Sequence, residues 1–91
     1  MPRVVFYGHL TRFTGGDREI YVEASNVRET LQSLSSKYGE HLGSKLLGLG
    51  DSPGEFVRVF LNNKDVRLLE GADTSVSATD TLIIVPALAG G

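Results

Sequence analysis

The spacing of apolar residues alternates along the chain between a repeat of two, which suits strands, and a repeat of three to four, which suits helices. Val4-Val5-Phe6-Tyr7 is β-branched and aromatic and predicts a first strand running to about His9. Thr14-Gly15-Gly16-Asp17 is a turn cluster, because glycine accepts positive φ and Asp bonds its own following backbone. Glu19-Ile20-Tyr21-Val22-Glu23 then alternates strictly, which predicts a half-buried strand with Ile20 and Val22 inward and Glu19, Tyr21 and Glu23 outward. The two strands make a hairpin.

The period lengthens after that. Val27, Leu31, Leu34 and Tyr38 form one stripe of a helix, with Ser25 or Asn26 as its N-cap and Gly39 placed for a left-handed C-cap. Leu42, Leu46 and Leu47 predict a shorter second helix ended by Gly48 and Gly50, and Asp51-Ser52-Pro53-Gly54 reads as a loop. Phe56 to Leu61 is the best strand in the sequence, and Asn62-Asn63 is a turn that tolerates left-handed backbone. Lys64-Asp65-Val66 is read as a short return strand, the Gly71 region as loop, and Thr81 to Val85 as the last strand, which Pro86 ends. A hairpin, a long helix, a short helix and three more strands favour an α+β fold. One mixed sheet of about five strands carries the main helix across one face, with the last strand beside the first. This is the β-grasp (ubiquitin-like) arrangement, expected over residues 1–87, with 88–91 as a flexible C-terminal tail.

Composition narrows the function classes. Ninety-one residues allow one small core, and a net charge of −2 without a long like-charged block argues against nucleic acid and anionic membrane as partners. No apolar run could span a bilayer and no signal peptide is read, so a cytoplasmic location is expected. Cysteine is absent, which removes disulfides, thiolate metal sites and any thiol nucleophile. His9 and His41 sit on different elements with no carboxylate pair at ligand spacing, so no metal or cofactor site is read. Gly15-Gly16 lacks the lysine of a phosphate loop, and Ser25, Ser33, Ser35 and Ser36 have no base beside them.

The remaining chemistry lies at the end of the chain, Ala89-Gly90-Gly91. Two glycines make a thin thread that a narrow cleft admits, with an unhindered carboxylate behind it. Glycine is abundant here, so a terminal pair alone is only suggestive; it gains weight from the strand and proline that precede it.

In Ile84-Val85-Pro86-Ala87-Leu88-Ala89-Gly90-Gly91 and Leu61-Asn62-Asn63-Lys64-Asp65-Val66 the chain resembles the ThiS/MoaD-type sulfur carriers, a ubiquitin-like family. That family includes the small subunit of molybdopterin synthase and the thiamine and cysteine-biosynthesis carriers. Pro86-Ala87 stands where many members have Pro-Pro, and Ala78-Thr79-Asp80 keeps only the final acid of the usual Asp-Gly-Asp turn.

The resemblance implies a protein cosubstrate and not an enzyme. A ubiquitin-activating-type adenylating enzyme would join the Gly91 carboxylate to AMP, consuming ATP that this chain does not itself bind. A sulfurtransferase or cysteine desulfurase would supply the sulfur for a thiocarboxylate. A synthase large subunit or a sulfhydrylase would accept it, with the molybdopterin synthase system expected first and the cysteine or thiamine pathway as other destinations. Two further readings stay open: a protein modifier conjugated to lysines through Gly91, and a non-covalent binding module.

Strand alternation supplies the expected docking face. With Val57, Val59, Leu61, Leu82 and Ile84 toward the helix, Phe56, Arg58, Phe60, Ile83 and Val85 face the open side of the sheet. Contiguous exposed apolar surface marks partner sites. Pro86, Leu88 and Ala89 would enter the partner's cleft, ahead of Gly90 and the reactive Gly91.

Overall fold

Five strands form one mixed sheet: β1 (Arg3–Phe6), β2 (Glu19–Tyr21), β3 (Val57–Leu61), β4 (Lys64–Asp65) and β5 (Thr81–Pro86). Their spatial order is β2-β1-β5-β3-β4. The structure is a computed structural model and describes residues 1–87. β1 and β5 run parallel at the centre, and the other pairs are antiparallel. Two helices, α1 (Val27–Tyr38) and α2 (Glu40–Leu46), follow the first hairpin. This is the expected β-grasp sheet with one main helix across it.

Alternation decides which face is covered. Val4 and Phe6, Val57 and Val59, and Leu82 and Ile84 are buried against Val27, Leu31 and Leu34 of α1 and Leu42 and Leu46 of α2. Burying one such side chain stabilises by about 1.5–3 kcal/mol. The helix boundary follows from capping: the Asn26 side chain accepts the Glu29 N–H at 2.8 Å, and Glu29 accepts the Ser25 N–H at 2.8 Å. At the far end Tyr38 meets Phe6 edge to face, 5.8 Å between ring centres, and donates its hydroxyl to Asp17 at 2.8 Å. Burial, followed by the bond to Asp17, pushes the Tyr38 phenol up to about 12.

α1 and α2 meet at Gly39 and pack closely because position 43 is glycine. A Cβ there would lie 2.2 Å from Ser35 Oγ. Asn62 and Asn63 have φ of 48° and 77°, the paired left-handed geometry of a tight hairpin turn between β3 and β4.

Four expectations about boundaries are corrected. The first strand stops at Phe6 and not near His9, because the chain turns at Gly8 (φ 62°) into a 3-10 helix over Gly8–Phe13 that buries Leu10. β2 ends at Tyr21, so Val22 is buried just beyond the ladder while Ile20 is only half-buried. Val66 is not in the return strand; it is buried and opens a 3-10 helix, Val66–Leu68, which Asp65 caps by accepting the Arg67 N–H. The Gly71 region also forms a single 3-10 turn, Gly71–Asp73, and is not simple loop.

Candidate functional site

β5 lies between β1 and β3 and ends at Pro86, so the chain leaves the sheet from its centre. The point of departure is fixed on both sides. Tyr7 N–H donates to the Ile84 carbonyl at 3.0 Å, and Ala87 N–H donates to the Phe56 carbonyl at 2.9 Å. Proline has no N–H to offer a further ladder bond. Gly8 packs against its ring: a Cβ on Gly8 would sit 3.2 Å from Pro86 Cγ, and the φ of 62° is itself one that glycine favours.

The open face upstream is assembled by register. Val5 pairs with Ile83 and Ile83 with Phe60, placing three apolar side chains in one row, which Glu19 and Asp65 flank on the outer strands. One step toward the end of β5, Val85 pairs with Arg58. Tyr7 and Tyr21 are more than half exposed at 52% and 58%, whereas Phe60, Ile83 and Val85 are half-buried among their neighbours. Arg3 and Glu19, both outward-facing on neighbouring strands, form an ion pair that raises the Arg3 guanidinium above its usual range.

Phe60, Ile83 and Val85 therefore come together on the uncovered face with Arg58 beside them, as alternation predicts. Phe56 takes a different place. It lies just ahead of β3, about half exposed, and its ring carries the Lys45 ammonium 5.5 Å from its centre. Phe13 takes the same ammonium from another side at 5.1 Å. Phe56 is thus part of the rim around the end of β5 and not of the apolar row. Pro86 stands at the root of the tail. Leu88, Ala89, Gly90 and Gly91 lie outside the described residues.

Three contributors escaped the sequence reading. Val5 has the parity of the outward positions of β1, a signal available from Val4 and Phe6 being inward, and Tyr7 follows the strand, tied to β5 by its bond to Ile84. Lys45 had none, since its two rings come from positions 13 and 56. Among the described residues no group of three His, Asp or Glu side chains could hold a metal. Nor, among those residues, is any helix long and apolar enough to cross a membrane.

Comparison with known proteins gives this geometry a family. A family model described as the ThiS family matches residues 4–91. A protein of Archaeoglobus fulgidus, whose name assigns it provisionally to the sulfur carriers, is 37% identical over 76 residues, covering 84% of this chain and 85% of its own length. The sulfur carrier protein CysO of Mycobacterium tuberculosis is 30% identical over 81 residues, covering 86% and 85%. CysO also appears in a solved complex with BexX from Amycolatopsis orientalis, at a TM-score of 0.84 and 28% identity over the whole of both chains. The small archaeal modifier protein 1 of Methanosarcina acetivorans superposes with a TM-score of 0.84 at 25% identity, covering 98% of this chain and 94% of its own.

Proposed function

The chain belongs to the ThiS family, and we propose that it carries sulfur as a thiocarboxylate on Gly91. The observation that supports this most is the reach of the family match, which runs past the end of β5 at Pro86 and through Gly90-Gly91.

The chemistry begins with an unreactive group. A carboxylate resists nucleophiles because its charge is shared by two equivalent oxygens. An adenylating partner lets one Gly91 oxygen attack the α-phosphorus of ATP, and pyrophosphate leaves. Sulfide then attacks the acyl carbon, and the C–O bond to AMP breaks with its electron pair on AMP. If the donor is a persulfide, the first product is an acyl disulfide, and a thiol must reduce its S–S bond to free the thiocarboxylate. The terminal sulfur next attacks an electrophilic precursor on the acceptor enzyme. Hydrolysis there returns the carboxylate. This chain contributes no acid or base to any of these steps. It is a cosubstrate in cofactor or amino-acid synthesis, and its acceptor is a synthase or sulfhydrylase.

In this reading the row Val5, Ile83 and Phe60, with Val85 beyond it, docks the partner, and the glycines thread its cleft. A second reading, conjugation of Gly91 to lysines, is favoured by the likeness to the small archaeal modifier. It shares the adenylation step and differs in the nucleophile.

Intact mass of the protein purified from its host tests both. Sulfur carriage predicts a fraction heavier by one oxygen-to-sulfur exchange, absent when Gly91 is deleted or followed by one extra residue. Lysine-linked conjugates without the sulfur-bearing form would select the modifier. A variant extended beyond Gly91 that still supports its pathway would overturn both.

A further inference from the structure

Acidic residues outnumber basic ones in this chain, 11 to 9, yet four of the nine basic ones lie on segments that border the end of β5. Arg58 pairs with Val85 across the β3–β5 ladder. Arg18 lines, with Tyr7, Gly8 and Thr11, a cleft of about 380 Å³ beside the end of β1. Arg12 lies in the last turn of the 3-10 helix that packs on β5. Lys45 is bracketed by Phe13 and Phe56, and the Phe56 carbonyl receives the Ala87 N–H.

The nearby acids are Asp17, which accepts the Tyr38 hydroxyl, Glu19, which pairs with Arg3, Glu55, next to Phe56, and Asp65, which accepts the Arg67 N–H. The ion pairs among the described residues are Arg3–Glu19 and Arg28–Asp73, so none of the four cations is neutralised by one. Lys45 is the most informative of them. A lysine stem ordinarily samples many rotamers, but two ring faces hold this ammonium in one place at the root of the tail.

We propose that Arg12, Arg18, Lys45 and Arg58 form a basic collar around the tail root, and that the activating enzyme presents an acidic rim around the channel that admits the tail. This rests on the function proposed above and names the chemistry of its partner. Charges of one sign gathered at one spot focus the field and speed encounter with a complementary surface, even on a molecule of opposite net charge. The apolar row provides the dry centre of the interface and the collar its polar rim. Nucleic acid suits the arrangement poorly, since the collar is local and no basic stripe extends from it.

The test is ATP–pyrophosphate exchange by the host's adenylating enzyme, with the full-length chain as substrate, from about 0.05 to 0.5 M salt, a range over which screening shortens several-fold. The wild-type kcat/KM should fall steeply with salt. The doubly substituted Arg18→Glu/Arg58→Glu protein, both sites exposed, should lose about tenfold or more at low salt and show little salt dependence. Lys64→Glu, an exposed charge change on the edge strand β4, should match wild type. A flat wild-type salt profile, an unimpaired double variant, or equal loss in Lys64→Glu would each overturn the collar while leaving the carrier function standing. No exchange with the wild-type chain would instead remove the carrier reading, and the collar with it.

Discussion

Asn62 and Asp80 clamp the far end of the sheet: the Asn62 amide donates to Asp80 Oδ1 at 2.8 Å, while its own oxygen accepts the Thr81 N–H at 3.0 Å. One left-handed turn residue thereby fixes the β3–β4 hairpin to the start of β5. Asn62→Gly keeps the backbone geometry and removes the clamp, and should cost about 1 kcal/mol in urea unfolding. Asn62→Ala loses the clamp and also strains a φ of 48°, adding roughly 1–2 kcal/mol. Equal stabilities for the two variants would show that the backbone conformation carries no cost.

Asp80 itself titrates with the fold. Its carboxylate accepts the Ser77 N–H at 2.8 Å, and that bond, followed by the one from Asn62, holds its pKa below the ordinary 3.8. A depressed folded pKa means the contribution is complete above the ordinary carboxylate value and disappears as pH falls through the folded one. Asp80→Asn should therefore be less stable than wild type at neutral pH, with the gap closing as pH falls below the ordinary carboxylate value and through the folded one. Denaturation midpoints across that range check it; a constant gap would assign the loss to packing.

Gly43→Ala should destabilise by about 1–3 kcal/mol, because the added methyl collides with Ser35 Oγ and Cβ where α1 meets α2. The companion Ser35→Gly/Gly43→Ala protein should recover part of the loss, as expected of residues in contact. Thermal melts of the single and double variants decide.

On the open face, Phe60→Ala and Val85→Ser should weaken binding to the activating enzyme about tenfold or more each, as truncated central contacts do. The melting point should move little, since both side chains sit outside the covered core. Titration calorimetry with the isolated partner separates loss of binding from loss of fold.

Much of this architecture is written in alternation. Val57 and Val59 against Arg58 and Phe60, and Leu82 and Ile84 against Ile83 and Val85, give both the buried and the open side without knowledge of the partner strands. The limits of strands are less visible. Tyr7-Gly8-His9-Leu10 continues an extended pattern by residue type, but β1 has no ladder to follow past Ile84, because Pro86 offers no N–H and Gly8 turns over its ring. Phe56 departs from the alternation for a related reason: parity assigns a face only to residues inside a strand, and this one stands before β3, with its ring under the Lys45 ammonium of α2. The proposed collar is the least legible in sequence, since Arg12, Arg18, Lys45 and Arg58 are far apart in the chain and stand on a 3-10 helix, the approach to β2, α2 and β3.

The central position of β5 has a mechanical meaning. Tension applied to the C-terminus runs along a strand bonded on both sides, parallel to β1 and antiparallel to β3. Such a load shears two ladders lengthwise together and cannot peel them one bond at a time.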